Sequence, residues 1–227
     1  RTLIEFMLAD AAAELAEERA AEEGEDPVEA DAMDAEQFRR FEAVMSEFMD
    51  LLSVRKPKGV LFLGKCGGLK KTTEIGHFIL PIAAIRGEGT GDDYFPPEVP
   101  ALPSFKLHKF VSDKILEYNL DYRSGVIYTT NRRVWEHDEA FHEKLRQLRV
   151  IGIDMETATL FLVGHANEIP RGALLLVSDV PVTPDGVKTE ESDRKVTAQW
   201  VKLHLQIGIE AMTELGIKGE KIKHFRY

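Results

Sequence analysis

The sequence predicts an α/β fold, with a central sheet covered by helices over residues 56–227 and an all-helical segment over residues 1–55. Three observations carry this. After residue 55, short apolar runs that end at glycine or at a polar cluster alternate with stretches of helical period. Before that point the chain is Ala/Glu-rich, and Gly24 is the sole glycine ahead of Gly59. The length of 227 residues suits one sizeable α/β domain and is marginal for two.

The N-terminal segment reads as a helical hairpin. Leu3, Met7, Ala11 and Leu15 recur at helical spacing, as do Ile4, Leu8 and Ala12. Gly24-Glu25-Asp26-Pro27 interrupts the pattern, with the glycine placed to stop one helix and the proline to restrict the backbone around it. A second helix is predicted over 35–52, its apolar face made of Phe38, Phe41, Met45, Phe48 and Leu52. Both stripes read as surfaces for core packing.

Beyond residue 55, buried strands are predicted at 60–63, 77–85, 126–129 and 173–177, each an apolar run. Helices are predicted at 105–118, 139–148, 155–167 and from about 192 to 215. The alternation argues for a sheet with helices on its faces. In such sheets ligands bind where loops converge at strand ends, so chemistry is sought there.

Composition narrows the function classes. A net charge of -10 speaks against a nucleic-acid groove, yet a few local cations suffice to hold one phosphate on a small substrate. The single cysteine, Cys66, excludes an internal disulfide and fits a cytoplasmic setting. No apolar run has membrane-spanning length and nothing resembles a signal peptide. No Cys/His ligand spacing suggests a metal, and no cofactor is expected.

Four strand ends carry polar residues. The first apolar run meets Gly64-Lys65-Cys66-Gly67-Gly68-Leu69, read as a turn whose backbone N–H groups and lysine approach an anion. It lacks Walker spacing, and glycine-rich turns after strands are common. The third ends in Thr129-Thr130-Asn131-Arg132-Arg133-Val134-Trp135-Glu136-His137, where guanidinium groups suit phosphate and an indole suits a purine. A solvated basic turn anchored by its tryptophan explains the same residues. Asp154 and Glu156 flank Met155 at the start of a helix, where the dipole alone favours acids. The last strand runs into Ser178-Asp179-Val180-Pro181; an aspartate beyond a buried apolar strand is a candidate for a raised pKa, or else a turn aspartate.

Taken together, Gly64 to Leu69, Met155-Glu156 with Thr157-Ala158-Thr159, and Ser178-Asp179 resemble, in order and approximate spacing, the motifs of the nucleoside phosphorylase and nucleosidase superfamily. Pro96-Pro97-Glu98-Val99-Pro100, Thr129-Thr130 with Arg133 and Trp135-Glu136, and His204-Leu205-Gln206-Ile207-Gly208-Ile209 resemble its AMP nucleosidases in particular. The motifs extend from about residue 56 to the C-terminus. Family members ordinarily place strands and a glycine-containing anion loop where this chain has residues 1–55, so that hairpin is atypical, whether by divergence, truncation or replacement.

The resemblance implies a central, mostly mixed sheet flanked by helices and hydrolysis of AMP to adenine and ribose 5-phosphate. Asp179 would protonate the leaving adenine at N7, with Ser178 beside it. Glu156 would hold the ribose hydroxyls and orient water, Met155 would pack on the sugar, and Trp135 would stack on or wall the base. Arg133, Lys65 and Arg86 would face the phosphate, with Gly67 and Thr130 also at the substrate. A homo-oligomer acting in purine salvage is implied. Phosphorolysis of a purine nucleoside is the alternative within the fold, and a catalytically silent assembly module is the alternative outside enzymology.

Overall fold

The computed structural model describes residues 43–132, 135–183 and 194–218. The predicted hairpin before residue 43 lies outside them. Among the described residues, five strands close into a barrel: β1 (Val60–Gly68), β2 (Phe78–Gly87), β3 (Tyr122–Thr130), β4 (Gly152–Asp154) and β5 (Arg171–Asp179), in the order β1-β4-β3-β2-β5. The sheet is mixed, as expected. β1 runs parallel to β5, and β3 parallel to β2 and β4, while β1–β4 and β2–β5 are antiparallel.

Helices cover this barrel. They are α1 (residues 43–54), α2 (Phe105–Glu117), α3 (Glu139–Gln147), α4 (Thr157–Ala166) and α5 (Lys202–Lys218), the last continuing from a π turn at Thr197–Val201. Helix α4 is apolar all round, and every residue from Thr157 to Gly164 is buried. A helix with no polar face belongs inside, and α4 shares a core with Met45, Met49, Phe62, Ile79 and Leu175. On the other side, Leu107, Val111 and Ile115 of α2 pack with Ile207, Ala211 and Leu215 of α5 over β1 and β5. β5 is buried from Gly172 to Ser178, which accounts for its unbroken apolar run.

Two boundaries near the strand ends differ from the sequence reading. Gly64 to Gly68 is the second half of β1 and not a turn. The glycines serve close approach there: a Cβ on Gly67 would lie 3.2 Å from Ile153 Cγ2 and 3.2 Å from Pro181 Cγ. Gly152–Asp154 is a strand, so the helix predicted from 155 begins at Thr157. In α1 Met45 and Met49 are buried, and Phe48 and Leu52 on the same side of the helix are half-buried. No helix of the described residues is long and apolar enough to cross a membrane.

Candidate active site

The ends of β1, β3, β4 and β5 meet in one row. Gly67 pairs with Asp179 on one side and with Ile153 on the other. At about 4.8 Å between neighbouring strands, Asp179 and Ile153 lie roughly 10 Å apart across Gly67. Asp154 follows Ile153 and pairs with Thr129, and Met155 and Glu156 form the bend that leads into α4. An acid from β5 and an acid from the β4–α4 turn therefore flank the end of β1.

A bulge prepares the β5 end. Cys66 pairs with Val177 and Gly67 with Asp179, which leaves Ser178 as the extra residue. Bulges re-aim side chains. Here the Ser178 hydroxyl sits 2.6 Å from Asp179 Oδ1 and 3.4 Å from the Cys66 carbonyl, two acceptors for its one proton. Ser178 is buried while Asp179 is half-buried, so the serine holds a carboxyl that is still within reach of a ligand. Burial and the charges of Asp154 and Asp179 push the Cys66 thiol well above its usual range. It stays protonated.

The β4 end is more tightly bonded. Asp154 Oδ1 accepts from the Thr129 hydroxyl at 2.8 Å, and Oδ2 accepts from the Thr157 N–H at 3.0 Å and from the Thr157 hydroxyl. Burial outweighs these bonds and lifts the Asp154 pKa to about 6. Glu156 is half-buried, with Oε2 accepting from the Met155 N–H at 3.2 Å. Among the described residues, no group of three His, Cys, Asp or Glu side chains is placed to hold a metal ion.

Comparison with known proteins decides the family. The model of the phosphorylase superfamily matches residues 10–214, and so reaches into the segment that the motifs left out. The chain belongs to the phosphorylase superfamily. An AMP nucleosidase of Escherichia coli is 32% identical over 183 residues, covering 76% of this chain and 37% of that protein. The chain therefore spans little more than a third of that relative's length. The crystal structure of an AMP nucleosidase from Bacteroides thetaiotaomicron superposes with a TM-score of 0.66 at 55% identity, over 75% of this chain and 68% of that one. A DeoD-type purine nucleoside phosphorylase of Caldanaerobacter subterraneus is 28% identical over 70% of this chain and 68% of its own.

Within this phosphorylase-superfamily fold, the other candidate residues fall into distinct places. Thr130 is buried at the end of β3, and its hydroxyl accepts from the Arg132 N–H at 3.1 Å. Trp135 is 6% exposed and packs edge-on to Phe141, centroids 5.6 Å apart, inside a core with Tyr128 and Ile153. The anchoring role is thus evident in its contacts. Lys65 lies mid-strand in β1, with Nζ 3.2 Å from the Thr197 hydroxyl. Arg133 lies outside the described residues. Arg86 has a different use from the expected one. Its guanidinium donates to the carbonyls of Pro96 (2.7 Å), Val99 (3.1 Å) and Phe95 (2.8 Å) and to Asp92 (2.7 Å). Those four acceptors gather residues 92–99 around it, so its terminal nitrogens are engaged by the loop.

The roles of two residues escape sequence reasoning. Asp154 carries a usable signal, an Asp three residues before a helical Thr, which is an N-terminal capping pattern. Arg86 carries none, because three of its acceptors are backbone carbonyls.

Proposed function

We propose that the chain is an N-glycosidase that hydrolyses AMP to adenine and ribose 5-phosphate. The observation that carries this reading is the row Asp179–Gly67–Ile153, which sets a serine-held carboxyl opposite the turn bearing Met155 and Glu156. The AMP nucleosidase names of two relatives favour the substrate.

Cleavage of the glycosidic bond leaves electrons on the base and positive charge on the sugar. Asp179, as its carboxylic acid, gives a proton to N7 as the C1′–N9 bond breaks, which takes up those electrons. A positioned acid contributes roughly 10²–10⁴-fold. Ser178 fixes the carboxyl for that transfer. Glu156 receives the ribose hydroxyls, and its negative charge stabilises the cationic sugar. Water then adds to C1′, and its proton passes to solvent. Met155 packs on the sugar, while Trp135 and Thr130 brace the β3 end near the base. Gly67 lets Ile153 and Pro181 approach β1 between the two acids. Arg133 and Lys65 are the side chains assigned to the 5′-phosphate, and Arg86 is not carried forward in that role.

Phosphorolysis is the second reading, favoured by the purine nucleoside phosphorylase relative. One assay separates the two. Purified protein is incubated with AMP, with and without inorganic phosphate, and the products are resolved. Adenine with ribose 5-phosphate, independent of added phosphate, is expected. Cleavage that requires phosphate points to the second reading, and no adenine under either condition removes both.

A further inference from the structure

We propose that Asp154 is a positioning residue: held by Thr129 and Thr157, it fixes the turn that aims Glu156, and it touches no substrate itself. The inference rests on the ribose role assigned to Glu156 above.

The first two amides of α4 are both tied into this cluster. The Thr157 N–H reaches Asp154 Oδ2 at 3.0 Å, and the Ala158 N–H reaches Thr129 Oγ1 at 3.0 Å. Thr129 in turn donates its hydroxyl proton to Asp154 Oδ1. A helix start leaves such amides without intrahelical partners, and a side-chain acceptor there fixes where the helix begins. The unusual feature is that the acceptor stands three residues ahead of the first helical residue and belongs to a different element, β4. It therefore pins the strand end and the helix start to each other, with Met155 and Glu156 strung between two fixed points. Glu156 has a non-helical backbone (φ -125, ψ -32), and its carboxylate folds back on the Met155 N–H. Its direction follows from that backbone.

The choice of a carboxylate fits this role. All three of these donors arrive at an acceptor-only group, and a neutral amide would turn an N–H₂ toward one of them. With Asp154 5% exposed and Thr129 and Thr157 fully buried, water cannot substitute. The group's raised pKa shows that the fold tolerates a costly charge here.

The test is steady-state AMP hydrolysis by the wild type, Asp154→Asn, Thr157→Val, Glu156→Gln and the Asp154→Asn/Glu156→Gln double variant, with melting temperatures at pH 7. Displacing Glu156 slightly is expected to lower kcat by about 10–100-fold in Asp154→Asn and Thr157→Val, with KM within about threefold. Asp154→Asn is expected to lower the melting temperature by a few degrees, since it sets an N–H₂ against one of the buried donors, and a kcat loss larger than that destabilisation accounts for is the result that supports positioning. The double variant is expected to be no slower than Glu156→Gln alone, because Asp154 acts through that residue. Unchanged kcat in both single variants overturns the proposal, and so does a double variant whose loss is the product of the two. Activity that falls only in step with melting temperature overturns it as well. A wild type silent on AMP takes down the functional reading itself, a result distinct from an active Asp154→Asn enzyme.

Discussion

The ends of β2 and β5 start from the same sequence pattern, an ionisable residue at the close of an apolar strand, and arrive at opposite uses. Arg86 meets four acceptors drawn from residues 92–99 and holds a loop. Asp179 has Ser178 at 2.6 Å and remains half-buried. What separates them is what each is seen to meet: loop carbonyls around the guanidinium, a neighbouring hydroxyl beside the carboxyl. A guanidinium has five donors in a fixed fork, and here its two terminal nitrogens are taken up by three carbonyls and a carboxylate. A carboxyl beside a serine and a glycine stays partly exposed, within reach of a ligand. The residue type at a strand end thus proposes a chemistry, and the neighbouring backbone decides whether it can act on a substrate.

The largest expected effect is at the β5 end. Asp179→Asn keeps shape and loses the transferable proton. On the proposed mechanism kcat/KM for AMP falls by about 3–5 kcal/mol of transition-state stabilisation, with little change in melting temperature. Near-normal turnover of the purified variant removes Asp179 from the acid role and erases the contrast with Arg86.

Arg86→Leu sharpens the comparison from the other side. It strands three carbonyls around a side chain only 9% exposed, and the exposed partner Asp92 adds little. A stability loss of roughly 3 kcal/mol is expected in urea unfolding. The KM for AMP should follow that loss of order and not exceed it. A large rise in KM with unchanged stability would return Arg86 to the phosphate.

The same contrast explains what was legible in the sequence. Strand positions were readable because β5 and the start of β1 are unbroken apolar runs, and α2 and α3 because their buried residues recur at helical spacing. The second half of β1 was misread because Gly64, Gly67 and Gly68 look like a turn. Gly67 and Gly68 serve close contact with Ile153, Pro181 and Thr73, and no local pattern in the strand announces those partners. β4 is three residues long and sits between Val150 and a helix cap, too short for a period to register. The Ser178 bulge is a shift in register against β1, a long-range pairing that is equally silent in the local sequence. Asp179, Glu156 and Met155 were legible through motif resemblance, whereas Asp154 needed its long-range partner Thr129 to be seen.

Asp154 gives a pH test of the bonded end. Its native pKa of about 6 exceeds the unfolded value of about 3.9. Between these values the native chain holds a proton that the unfolded chain has released, so stability falls as pH rises through this window and levels off above it. A decline of up to roughly 3 kcal/mol is expected from this group, at about 1.4 kcal/mol per pH unit. Urea unfolding at a series of pH values from about 4 to 7 measures it. Asp154→Asn should flatten the slope; an identical slope in that variant shows that another group is responsible.

The smallest effect tests the Ser178 hydroxyl beside Asp179. Ser178 is the extra residue of the β5 bulge, and its hydroxyl has two acceptors in range, Asp179 Oδ1 at 2.6 Å and the Cys66 carbonyl at 3.4 Å. The shorter contact favours the carboxyl. Ser178→Ala removes that restraint without disturbing the backbone bulge, and the Cys66 carbonyl retains its place in the sheet. One such bond contributes about 1–1.5 kcal/mol, so kcat should drop by roughly tenfold, with little change in KM. The drop should vanish in an Asp179→Asn background, since the serine acts by holding that carboxyl. A hundredfold or greater loss means that the hydroxyl contacts substrate directly. No loss at all means that the Ser178 hydroxyl does not aim Asp179, and the β5 end then lacks the side-chain counterpart of what the carbonyls of Phe95, Pro96 and Val99 do for Arg86 at β2.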